Sequence, residues 1–582
     1  MACNTECGCK PAVIMLVFIP GIMGSRLKNT ETGDSIWDPT AGGGFHESSA
    51  MASAKEKRKQ ELVQMQSLDD DSVFEGLSKW FSRNVDFKVS FAYATEIVPQ
   101  VARKLWRIPR IKDWVFSGPK GRKKLISNED EKDAYGRQED LTSVDEGTEA
   151  YFKMYTSVSS QQIAEKTFRG WGSVLWASYG GFLKWLQGCE WDFKADYPGS
   201  SFPVYAVGYN WMLSNRVAGD RIKDKIHGFV AEAVSEGADK NNIKIILITH
   251  SMGGFAARSA VILSGLKDEI ELVIHGAMPT DGAPQLYQEF RTGSTGASKL
   301  VLGKNAADTT AVAGFCQGGL ELLPNHAYKM KSDSEMKCGK ASHEWLYYNN
   351  GVGANKLLPV EYGDKIYDFY RHFDRWYSMV QPALLAPEMK AEELTKDKLD
   401  FYTEEFNKRI DDCKEYHKAL AGDYFPTTIV LYSTSDKSHD CSVWQGGNNL
   451  DEQPVESWKT ISNENNDWFF GDGTVTLMAS DAEIKRARQI KQRQREALVS
   501  HQFMPPMTVA VEKYTLGAKL VDGDGTVNAG AGEGLPIDKV RAIAIEATEE
   551  HQDFYNCPKV RTLVVDQIKA ALPDIHDKIT RC

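Results

Sequence analysis

The sequence predicts an α/β fold, a mostly parallel sheet with helices on both faces, carrying large and mainly helical cap or lid insertions. Three observations carry that expectation. Residues Val13–Ile19, 202–208 and 243–249 are continuous apolar runs rich in β-branched side chains, the pattern of strands buried on both faces. Helix-length segments follow the later runs, and strands alternating with helices build parallel sheets. The 582 residues exceed the ~250–300 at which a single hydrophobic core stops growing, so one core with insertions or two domains is expected.

In chain order, Val13–Ile19 ends at Pro20-Gly21 and reads as an early central strand. Further strands are expected at 270–274 and 427–432. The core is assigned to 11–40, 190–286 and 425–582, with insertions at 41–189 and 287–424. The first insertion holds a basic, aromatic-interleaved run from Arg103 through Trp106 and Trp114 to Lys124, a candidate for docking on an anionic membrane, against the plainer reading of a solvated loop. The second is rich in Trp and Tyr and ends in a charged helical stretch, 387–420. A further basic run, 485–495, reads as a solvated helix face.

Composition excludes several classes. Hydrophobic residues make up 42% and charged residues 26%, ordinary for a globular protein, and a net charge of -11 argues against a nucleic-acid partner. Residues 1–10 carry Cys3, Cys7 and Cys9 but no basic start followed by an apolar run, so no Sec signal is visible and synthesis as a soluble cytoplasmic chain is expected. Ten cysteines are too sparse for a disulfide scaffold. The first three lack a matching Cys/His pair, so no metal is assigned to them.

The chemistry centres on Ser251. A strand (IKIILIT), then His-Ser-Met-Gly-Gly, then a helical segment (FAARSAVIL) is the setting of a nucleophile elbow, the sharp turn that lifts a serine above the sheet of an α/β-hydrolase. Gly253 and Gly254 supply clearance, while Thr249 replaces the usual leading glycine and crowds the turn. Two backbone donors are needed for an oxyanion: Met252 follows the nucleophile, and Ile22 lies in the glycine-bearing loop Pro20-Gly21-Ile22-Met23-Gly24. The base must be a later histidine. His551, directly after the apolar run 540–547, suits better than His501 or His576. For the acid, Asp281, Asp436, Asp472 and Asp524 all follow strand-like runs or occupy the two Gly-Asp-Gly-Thr-Val copies. Asp524, 27 residues before His551, is preferred and Asp472 is the alternative. Asp522, Asp524, Thr526 and Glu533 imitate a calcium-loop spacing, but Val527 stands where the turn requires glycine, so no metal or other cofactor is assigned.

Five motifs in order then resemble the lecithin:cholesterol acyltransferase and lysosomal phospholipase A2 group: Pro20-Gly21-Ile22-Met23-Gly24-Ser25-Arg26-Leu27 with Ile36-Trp37-Asp38-Pro39; His-Ser-Met-Gly-Gly; Gly276-Ala277-Met278-Pro279 with Gly282-Ala283-Pro284; Gly-Asp-Gly-Thr-Val; and Glu550-His551-Gln552. Within it the chain looks most like bacterial type VI secretion lipase effectors. The resemblance implies a serine lipase or phospholipase, delivery into the periplasm of a neighbouring cell, membrane phospholipid as substrate, and a cognate immunity protein and secretion-apparatus proteins as partners. An acyltransferase using the same residues, and a non-catalytic lipid-binding protein on this fold, are the alternatives.

Overall fold

The structure is a computed structural model, and it describes residues 12–38, 118–126, 142–147, 151–152, 160–294, 303–329, 343–351, 354–389, 395–446, 451–455, 467–469, 471–536, 538–547 and 550–580. Cys3, Cys7, Cys9 and the Arg103 to Trp114 part of the basic-aromatic run lie outside these residues.

Six strands form the central sheet: β1 (Val13–Ile19), β2 (Val204–Ala206), β3 (Ile243–His250), β4 (Ile270–Gly276), β5 (Thr428–Ser433) and β6 (Val540–Ile545). Their order is β6-β5-β4-β3-β1-β2 and every pairing is parallel. β1 is therefore flanked on both sides but sits next to the edge strand. Successive side chains of a strand point to opposite faces, so a run buried on both faces shows no polar alternation. In β1, Ile14, Leu16 and Phe18 join one apolar layer and Met15, Val17 and Ile19 the other.

Each layer is completed by helices. On the first face lie α1 (Trp176–Gly188) and α5 (Pro558–Thr580), whose Val560, Val564, Ile568 and Leu572 repeat every four residues. On the second lie α2 (Asn215–Ser235), capped where the Ser214 hydroxyl accepts from the Arg216 amide, and α3 (Gly253–Arg258). Each large aliphatic side chain so buried contributes about 1.5–3 kcal/mol. α1 comes from the range expected to be insertion, because its apolar stripe of Tyr179, Phe182, Leu183 and Leu186 fits the core face.

A second, seven-stranded sheet stands beside the first. Leu346–Asn349 and Lys356–Leu357 come from the expected cap, while Asp436–Gly446, Asp451–Pro454, Asp467–Phe469, Thr474–Met478 and Thr508–Gly523 come from the expected core. The insertion is thus partly β, and one sheet crosses the boundary drawn at residue 425. Helix α4 (Lys396–Leu420) ties the two bodies together: Tyr402, Phe406 and Ile410 pack on the second sheet's cluster, Tyr416 and Leu420 on the central one. The second sheet also delivers the loop that carries Asp524. Asp436, three residues beyond β5, pairs with Gly523, which places residue 524 at the carboxyl edge of the central sheet. No helix among the described residues is long and apolar enough to cross a membrane.

Candidate active site

β3 ends at His250, and the next residue, Ser251, takes a left-handed backbone with φ of 51°. A non-glycine residue there is strained, and the strain persists only where surroundings enforce it. They do so here: the Ser251 amide donates to the Gly276 carbonyl at 2.8 Å, and α3 starts two residues later. A Cβ on Gly253 would lie 2.4 Å from the Pro20 carbonyl oxygen, so no larger residue fits that crossing. The elbow and the loop after β1 touch backbone to backbone.

His551 opens a short helical turn after β6, and its Nε2 is 3.0 Å from the Ser251 hydroxyl. Its Nδ1 is 2.7 Å from Oδ2 of Asp524. The other Asp524 oxygen accepts the Thr526 and Val527 amides at 2.9 and 2.7 Å. Burial pushes this carboxyl up, but the charge and hydrogen bond of His551 and the two amides outweigh it and hold the group below its usual range. Asp524 is therefore ionised, Nδ1 of His551 carries the proton, and Nε2 accepts from Ser251.

The other aspartates lie elsewhere. Asp472 sits in an exposed turn of the second sheet and accepts the amide and hydroxyl of Thr474. Asp436 begins the strand opposite Gly523 and accepts the Lys437 amide, and Asp281 follows β4, with its backbone carbonyl bonded to Asn325. The calcium-like spacing is not brought to one point: Asp522 pairs with Lys437, whereas Asp524 pairs with His551. His501 is exposed at the end of a helix, and the His576 ring packs on Tyr197.

Met252, the residue after Ser251, is fully buried, and Ile22 lies in the loop held against Ser251. A Cβ on Gly21 would come within 3.0 Å of the Ser251 Cβ, so the residue 22 amide belongs to a turn in contact with Ser251. That loop is anchored from two sides. The Arg26 guanidinium, buried, meets Asp38 at 2.8 Å, Asp145 at 2.7 Å and the Gly172 carbonyl at 2.9 Å, while Trp37 Nε1 donates to Met23 O at 2.7 Å.

The second anchor has no counterpart in the sequence reading. His250 Nε2 is 2.9 Å from the His551 carbonyl, which only accepts, so Nε2 carries the proton and Nδ1 accepts from the Tyr179 hydroxyl at 2.9 Å. Burial first, and then the positive charge His551 carries when protonated, push His250 down to about 3, so the ring is neutral. The Tyr179 oxygen in turn accepts the Gly21 amide at 3.2 Å and Nε2 of Gln552 at 3.4 Å. Burial pushes Tyr179 up to about 12, so it remains a donor. Thr249 is similarly employed: its hydroxyl pairs with the buried His275 Nδ1 at 2.8 Å, and its carbonyl accepts Tyr555 Oη at 2.7 Å.

Residues 200–297 match the PGAP1-like alpha/beta domain family. Among curated proteins no sequence match is significant. Among solved structures, a chain of the crystal structure of the Tle4-Tli4 complex overlays with a TM-score of 0.61 at 20% identity, covering 97% of this chain and 99% of that one. That likeness concerns the fold, which is an α/β-hydrolase core with insertions. The Bacillus licheniformis lipase BlEst2 aligns over 23% of this chain and 50% of its own at 19% identity, TM-score 0.16. The phospholipase PlaB from Legionella pneumophila aligns over 48% and 69% at 13% identity, TM-score 0.16. Overlays that poor support no structural argument.

Proposed function

We propose that the chain is a serine lipase or phospholipase that cleaves acyl esters through an acyl-enzyme. The carrying observation is the unbroken line from Asp524 through His551 to Ser251, with contacts of 2.7 and 3.0 Å, in a strained strand-to-helix turn. In this reading His551 Nε2 takes the Ser251 proton as the hydroxyl attacks the ester carbonyl. Asp524 holds the ring and stabilises its positive charge. Amides of Ile22 and Met252 receive the oxyanion, His551 returns the proton to the leaving alcohol, and water then repeats the sequence on the acyl-enzyme. Half-buried Ile22 and Met23 present apolar surface beside the nucleophile for an acyl chain.

The finer reading is an antibacterial type VI secretion effector acting on membrane phospholipids in a target periplasm, with a cognate immunity protein that covers the cleft. It is supported by the five-motif resemblance and by the chain-wide likeness of fold to a chain of a two-protein complex. The test has two parts. Purified protein should release fatty acid or lysolipid from phospholipid, with Ser251→Ala reducing the rate at least ~10³-fold. Expression with an added periplasmic signal should arrest growth where cytoplasmic expression does not. Unchanged hydrolysis by Ser251→Ala would sink the catalytic reading, and equal harmlessness in both compartments the effector reading.

A further inference from the structure

Between strands Thr474–Met478 and Thr508–Gly523 the chain leaves the second sheet as helix Asp481–Val499 and returns through an irregular segment, 500–507. The helix is capped by Ser480, whose hydroxyl accepts the Glu483 amide. Its inner stripe is already satisfied: Ala487 and Ile490 are buried against Val455, Met478, Val509 and Val511, with Ile484 half-buried beside them. Met504 and Met507 of the returning segment close the same small cluster.

The rest of the arm is not explained by packing. From 485 to 495 every charged residue is basic: Lys485, Arg486, Arg488, Lys491, Arg493 and Arg495, in a chain whose net charge is -11. Immediately beyond, Leu498 is 79% exposed, Val499 81% and Phe503 90%. No other stretch of the described residues gathers three large exposed hydrophobics within six positions. Each would gain on the order of 1–3 kcal/mol on leaving water, and none supports the fold.

We infer that this arm docks the protein on a lipid bilayer bearing anionic headgroups, the apolar tip entering the acyl boundary and the basic face lying among the phosphates. The charge decides the occupant. Apolar side chains capping a cationic helix match the layered order of an anionic membrane surface, and side chains this exposed stand clear of the body, suited to insertion into a fluid layer. The strand Thr508–Gly523 runs from the foot of the arm to the residue before Asp524, 16 residues, up to about 50 Å at strand rise. Docking there recruits the protein to its substrate surface without touching the reacting groups. The inference deepens the lipase reading and rests on it for the purpose of recruitment.

The test separates the two. Full-length Ser251→Ala protein is floated with vesicles of phosphatidylcholine alone or with added phosphatidylglycerol. The expected result is preferential, salt-sensitive binding to the anionic vesicles. Replacing Leu498, Val499 and Phe503 together by serine should lower the partition at least about tenfold. Replacing Lys485, Arg486, Arg493 and Arg495 by glutamine should do the same. With Ser251 intact, both arm variants should cleave a soluble short-chain ester at the parent rate and vesicle lipid more slowly, and circular dichroism should show them folded. Binding that is equal on both vesicle types, absent, or undiminished in either folded variant overturns the inference, as does an arm that captures a protein partner while ignoring lipid. A parent that binds anionic vesicles but cleaves no soluble ester overturns the lipase reading and leaves the docking surface standing.

Discussion

Substituting Tyr179 by Phe removes one oxygen and loosens three elements at once. That oxygen donates to His250 Nδ1 at 2.9 Å and accepts the Gly21 amide at 3.2 Å and the Gln552 amide at 3.4 Å. Phe keeps the ring contact with Phe18, whose centroid is 4.9 Å away, so the change isolates the hydroxyl. His250 Nδ1 and the Gly21 N–H are left without their partner at about 1–3 kcal/mol each, a stability loss of about 2–6 kcal/mol. The functional effect comes through the loop. A single oxyanion donor is worth roughly 10²–10³ in kcat; in the proposed mechanism the donors remain but one anchor of their loop is gone, so kcat should fall about 10- to 100-fold with KM little changed. Steady-state kinetics on a soluble ester, with thermal unfolding as a control, measures both. A folded Tyr179→Phe protein whose kcat stays within about threefold of the parent would refute the idea that this tyrosine positions the oxyanion loop.

Asp524→Asn should lower kcat by about 10³–10⁴ while Asp472→Asn stays within about threefold; the reverse pattern in ester kinetics would transfer the acid role to the other Gly-Asp-Gly-Thr-Val copy. Thr249→Gly, which restores the commoner pentapeptide, should destabilise by about 1–3 kcal/mol because His275 loses its 2.8 Å partner; a higher urea midpoint would contradict this. Acid should also destabilise the protein. Burial holds His250 and His275 down to about 3 and His417 and His439 to about 4, so the unfolded chain binds their protons from 6.5 downward while the folded chain does not. Burial pushes Glu289 and Glu321 up to about 7, and these two act in the opposite sense because the folded state holds the extra proton. The unfolded state then binds the larger number between pH 6.5 and the glutamate value of 4.5, so stability falls on acidification. A urea midpoint that is unchanged or rises from about pH 7 to about pH 5 would show the sign to be wrong.

The parts of the candidate site written in contiguous residues are legible in the sequence. The Ser251 elbow is a strand, a tight turn and a helix in one stretch, and the loop at Gly21-Ile22 closes a strand with an unmistakable apolar run. His551 followed from chain order and a preceding strand. The acid stayed open because Asp472 and Asp524 occupy identical pentapeptides; what separates them in space is the strand each abuts, Thr474–Met478 within the second sheet and Thr508–Gly523 reaching the central one. The second sheet itself is hidden because its central strand Asp436–Gly446 pairs with distant segments, Ser442 with Leu346 and Trp444 with Leu516, and no local period announces such partners. Tyr179 was missed for a related reason: it sits on an ordinary apolar stripe of α1, and only its hydroxyl, meeting a residue 71 positions away, distinguishes it from its neighbours.

The central claim is that Ser251 is an activated nucleophile, and active-site titration tests it most directly. A fluorophosphonate probe added to the native protein should form one adduct, mapped by peptide mass to Ser251, slowed strongly by Asp524→Asn and abolished by Ser251→Ala or His551→Ala. Labelling at another residue, or ester cleavage surviving in Ser251→Ala, would contradict the account.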